Sequence, residues 1–150
     1  MAKNTIFAGG VDTNRPIVDE AVCGAIILPG KAMLKSSGSF TLSTVNGEGG
    51  AMYIAAENSM KQGTVDDTYA SGETVKAFYP RPGEMYNVRV ATGNNITAKD
   101  TPLTVNAAGR FRIALTDGTE EVLAYADEVV NVAADDVLVR VRWANAGRAS

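Results

Sequence analysis

The sequence predicts an all-β protein: a small antiparallel barrel or sandwich carrying an extended N-terminal arm. Three observations support this. Short runs alternate between apolar and polar residues, most cleanly "DDVLVRVRW" at 135–143, and a side-chain period of two marks a half-buried strand. Turn residues punctuate the chain at Pro29-Gly30, at the Pro80–Gly83 corner and at Asp117-Gly118. No segment carries an apolar stripe of helical period over a useful length.

Residues 1–20, "MAKNTIFAGGVDTNRPIVDE", mix single apolar residues with Gly, Asn, Asp and Pro and show no sustained period. They read as an extended arm. Ile6, Phe7, Val11 and Ile17 suggest an arm that docks on something, since a frayed tail needs no such residues. Residues 21–150 form a single β-rich domain. In it "AVCGAIIL" is a short apolar strand closed by Pro29-Gly30, and "KAMLKSSGSFTLST" reads as strand, turn, strand. "GGAMYIAAE" is a further strand with Met52 and Ile54 on one face, and "ENSMKQG" is at most one helical turn. "ETVKAFY" runs into the corner "PRPGEM", and "YNVRVAT" sets Val88 and Val90 against Arg89. Strands follow around "LTV" and "RFRIAL", and the Asp-Gly pair in "TDGT" predicts a tight hairpin with "EEVLAYA" returning antiparallel. "DEVVNV" and "DDVLVRVRW" complete the body. A faint echo links "ETVKAFYPRPGEMYNVRVATG" with "DEVVNVAADDVLVRVRWANAG", too weak to be a repeat.

A chain of 150 residues that is 45% hydrophobic and 21% charged suits one soluble domain with a real core. The net charge of −3 disfavours a protein that works mainly by gripping phosphates. The longest apolar run, "AVCGAIILPG", is too short to cross a bilayer, which takes about 20 residues. The first residues lack the apolar core of a secretory signal. Together these point to a protein made in the cytoplasm, with no membrane partner. Cys23 is the only cysteine, so no internal disulfide forms.

Catalytic constellations are scarce. The chain has no histidine, which removes Ser-His and Cys-His pairs and histidine metal ligands. Cys23 lies in an apolar strand, where a free cysteine packs as a small hydrophobe. Asp66 and Asp67 with Glu73 could be read as a cation site, but the spacing lacks the alternation of a calcium loop and suits a solvated or capping loop better. "GEGG" at 47–50 lacks the Gly-Lys-Ser/Thr of a phosphate loop and reads as a flexible connection. "KSSGS" lacks the motifs of a Ser-Lys hydrolase. No cofactor, metal or catalytic residue is expected. Tyr79, Arg81, Tyr86 and Arg89, with Arg140 and Arg142 on a neighbouring strand, approach the basic-aromatic pattern of a single-strand nucleic-acid platform. Glu84 and Asp135-Asp136 lie close by, and Arg and Tyr are also the residues that protein interfaces favour. Protein contact is the better reading, with no nucleic-acid partner.

Several pieces occur in a telling order: "ILPGKAMLKSSGSF", "VDDTYASGETV", "YPRPGEMYNVRV", "ITAKDTPLTVNAAGRF" and a closing "AADDVLVRVRW". The ordered set resembles the head decoration, or cement, proteins of tailed bacteriophages. The resemblance implies a β-tulip-like structural protein on the outer surface of the expanded capsid. It would clamp neighbouring subunits of the major capsid protein and stand as a homotrimer rather than a dimer, its arm taking part in the grip. Residues expected to make capsid or subunit contacts are Phe7, Arg15 and Ile17 of the arm, Tyr79, Arg81 and Tyr86 at the corner, and Arg89, Arg140 and Arg142 on one outward face. Two prolines stiffen the corner, so little entropy is lost when it docks. Alternatives are a head-completion or tail-tube protein, a single-stranded nucleic-acid-binding barrel and, last, an enzyme.

Overall fold

The computed structural model describes residues 3–9, 16–44 and 52–145. In chain order its strands are β1 (Phe7–Gly9), β2 (Ile17–Cys23), β3 (Ala32–Ser36), β4 (Ser39–Leu42), β5 (Met52–Ala55), β6 (Thr74–Tyr79) and β7 (Met85–Val90). There follow β8 (Asn95–Ile96), β9 (Pro102–Val105), β10 (Phe111–Ile113), β11 (Ala124–Ala126), β12 (Val130–Asn131) and β13 (Val137–Trp143). A single 3-10 turn, Ser59–Lys61, sits where one helical turn was expected.

The all-β barrel class holds, but the strands close two barrels in place of one. In the first, β2-β4-β3-β5-β6 form a ring. In the second, β7-β10-β9-β11-β13 run in order and β13 returns to pair with β7, while β1 extends the edge beside β7. Strands β8 and β12 make a small separate ribbon. Pairings are antiparallel except β2 with β4 and β10 with β7.

The alternation read in the sequence decides what each barrel encloses. In the second, Tyr86, Val88 and Val90 of β7 face inward with Val139, Val141 and Trp143 of β13. The first barrel buries Cys23, Met33, Phe40, Tyr69, Val75 and Ala77. The other face of its strands is not solvated throughout: Ala32, Met52, Ile54 and Phe78 point away from that interior and join the second barrel's core. The second barrel's core therefore extends onto the outer face of the first and binds the two together, while the first barrel's interior is a separate cluster.

Three local expectations are corrected. The strand placed at "AVCGAIIL" ends at Cys23 and begins at Ile17, inside the stretch assigned to the arm. Beyond it Ile26 is exposed, and Ile27 makes only an isolated bridge to Tyr69. The Asp117-Gly118 pair does not close a hairpin. Strands β10 and β11 both pair with β9, so the connection passes from one side of β9 to the other. Asp117 instead accepts hydrogen bonds from the N–H and hydroxyl of Thr119, and Glu120 anchors the loop by pairing with Arg112 and accepting from the Leu115 N–H.

Candidate contact surface

The corner after β6 is a rigid feature. Tyr79 ends the strand with its ring 5.1 Å from that of Tyr53, and it keeps 37% of its surface exposed. Pro80 and Pro82 offer no N–H and hold φ near −65°. Arg81 is clipped to Glu84: its N–H donates to Oε1 at 2.8 Å and its guanidinium lies 3.4 Å from Oε2. Backbone bonds from Gly83 N to Trp143 O and from Trp143 N to Glu84 O fasten the corner to the last strand. Beside it opens an apolar groove of about 330 Å³ lined by Met52, Tyr79, Pro80, Leu123 and Trp143, with Glu121 among its borders. The groove lies between the two barrels, and only Tyr79 and the prolines were legible as its wall. Leu123, Trp143 and Glu121 come from a distant part of the chain, and no local pattern marks that meeting.

The outward face of β13 carries the two arginines of the alternating stretch. Arg140 stands opposite Asn87 and Arg142 opposite Met85. Arg140 Nε donates to Asp127 at 2.7 Å, with Lys99 3.8 Å from the same carboxylate. Arg142 donates to Asp100 at 2.7 Å and lies over the Tyr125 ring, 5.9 Å from its centroid. Both side chains stay more than 40% exposed, at 42% and 44%. They form a solvent-exposed surface of ion pairs.

Arg89 departs from the expected outward face. It shares the β7–β13 surface, opposite Leu138, but the first barrel covers that part of the surface and leaves Arg89 only 5% exposed. Its guanidinium donates to Pro29 O at 2.9 Å, Asp136 O at 2.7 Å, Val65 O and Asp66 Oδ1. It is a tie between barrels. Tyr86 is fully buried, its ring 5.3 Å from Phe7 and 5.6 Å from Phe78. Burial, with Glu84 beside it, raises its hydroxyl pKa well above the usual tyrosine range. Phe7 is half-buried in that aromatic cluster, and Ile6 is wholly buried. Ile17, paired with Tyr79, is 46% exposed. Arg15 lies outside the described residues, as do the glycines at 47–50.

The other chemistry-bearing residues have structural partners. Cys23 is buried and its thiol donates to Ala70 O. Asp67 accepts from the N–H and hydroxyl of Thr64, Asp66 meets Arg89, and Glu73 pairs with Lys61. Among the described residues no group of three or more Cys, Asp or Glu side chains could hold a metal ion. Ser36 and Ser39 flank the β3–β4 turn.

The fold and surfaces define a two-barrel β protein with a stiff body, one apolar groove and an exposed arginine face. No family model matches the sequence, and no curated protein matches it. Among solved structures it is similar to the head fiber gp8.5 N base of bacteriophage phi29. The two share 13% identity with a TM-score of 0.57, over 89% of this chain and 98% of that one. At that identity the likeness shows the fold.

Proposed function

We propose that this chain is a structural protein of a tailed-phage virion. It sits on the outer surface of the expanded head, bridges neighbouring major capsid subunits and stands as a trimer. The observation that carries this is the likeness of nearly the whole chain to a head fiber base. The ordered sequence resemblance to head decoration proteins supports it independently. A protein that binds only the expanded lattice stabilises that state by mass action. Modest contacts from each subunit of an oligomer add through effective concentration. The surfaces of the molecule suit such binding. The pre-stiffened Tyr79–Pro82 corner loses little entropy on docking, and the Arg140–Arg142 face offers polar contacts.

The test is binding of a Tyr79→Ala/Arg81→Ala variant to expanded heads that lack the protein. Affinity is expected to fall by about tenfold or more, as for truncation of central aromatic and arginine contacts. Affinity equal to that of the parent protein removes the corner from the interface.

A further inference from the structure

Two exposed features lie at opposite ends of the first barrel and match each other. One is a knob. Met60, on the 3-10 turn, is 85% exposed, the most of any large apolar side chain described. Beside it Lys61 keeps 66% of its side chain in solvent, and its partner is the carboxylate of Glu73. The other is the apolar groove of Met52, Tyr79, Pro80, Leu123 and Trp143, about 330 Å³ in volume. Glu121 borders it and has no cationic partner among the described residues. Strand β6 separates the two features. It leaves Glu73 at the knob end and reaches Tyr79 at the groove after six residues, a rise of roughly 20 Å. A copy cannot seat its own knob in its own groove.

We infer that Met60 of one copy fills the groove of a second copy, with Lys61 reaching Glu121 on its border. Methionine suits this role because its unbranched chain adapts to an irregular cavity. An apolar side chain beside a cation answers an apolar groove bordered by a carboxylate with no cationic partner among the described residues. The contact joins different surfaces on the two copies, so it is head-to-tail and closes into a ring if the rotation permits. It deepens the oligomeric part of the proposed function and rests on it.

Sedimentation equilibrium of the full chain over a range of concentrations tests the contact. Met60→Ser and Glu121→Lys are the variants, and neither replaces a buried side chain. The parent protein is expected to associate. Each variant is expected to weaken association by about tenfold or more, and Lys61→Glu combined with Glu121→Lys to restore it. Lys61→Glu also sets a second carboxylate beside Glu73, and Glu73→Gln is added to the swapped protein to relieve that repulsion. A monomeric parent protein overturns the oligomeric reading itself. A parent oligomer whose mass neither single variant changes leaves that reading standing and overturns this interface. If those variants keep their mass yet lose binding to expanded heads, the groove's occupant is a capsid segment. A charge swap that fails to restore association overturns the Lys61–Glu121 pairing.

Discussion

Asp136 concentrates the electrostatics of the joint between barrels. It sits at a φ of 63°, where asparagine is tolerated and most residues are not. Its carboxylate accepts from Arg110 Nε at 2.8 Å and Nη2 at 3.1 Å, with Lys31 at 3.8 Å. Partial burial alone would raise its pKa, but the Arg110 hydrogen bonds and the charges of Lys31, Arg110 and Arg89 outweigh that, and the group is held below the usual carboxylate value. A depressed folded-state pKa means stability that is fully present above the unfolded value, near 4, and is lost as pH falls through the folded value. Asp136→Asn keeps the backbone conformation and removes the charge. Urea unfolding at neutral pH is expected to show a loss of about 1–2 kcal/mol, at the low end for a charged hydrogen bond because the pair is partly solvated. The gap between variant and parent is expected to narrow as pH falls below about 4. A gap that stays constant with pH would show that the carboxylate's charge is not what holds the joint. Arg89 teaches the companion lesson. Its alternation with Val88 and Val90 places it correctly on the outer side of its own barrel, but periodicity carries no information about a second barrel covering that side.

At the scale of elements, the joints between strands rely on backbone fit. Gly109 has a φ of +69°, and a Cβ there would lie 2.5 Å from Ala32 O. Its carbonyl accepts from Ala32 N at 2.8 Å, linking the β9–β10 turn to β3 of the other barrel. Gly109→Ala is expected to cost about 2–4 kcal/mol from left-handed strain plus overpacking. That cost would appear as a lower thermal midpoint with one cooperative transition. A midpoint within experimental scatter of the parent would mean that the two barrels do not depend on this contact. The strands themselves were largely legible. The runs at 32–42, 52–55, 74–79, 85–90 and 137–143 carry strict alternation or clear turn signals, and they form strands. Where the sequence pattern failed, long-range pairing decided. Asp117-Gly118 is good hairpin chemistry, yet β9 takes both β10 and β11 as neighbours. Ile17 reads in the sequence as a single apolar residue of the arm, and only its register against Tyr79 places it in a strand.

For the whole molecule, the number of barrels and the site between them were beyond local reading. The groove draws Met52, Tyr79, Leu123 and Trp143 from strands and loops far apart in the chain, and only the folded topology brings them together. The corner was legible because its stiffness is local, written in Pro80 and Pro82. The arginine face was legible in part: Arg140 and Arg142 are exposed, while Arg89 was taken inside. The proposed function rests on these surfaces as the places where the protein would make contact. The most direct measurement is co-sedimentation of the purified chain with expanded heads of the matching capsid that lack it, with stoichiometry read from the pellet. Saturable binding at a fixed ratio to capsid subunits is the predicted result. Intact expanded heads that pellet without the protein at saturating concentration would contradict it.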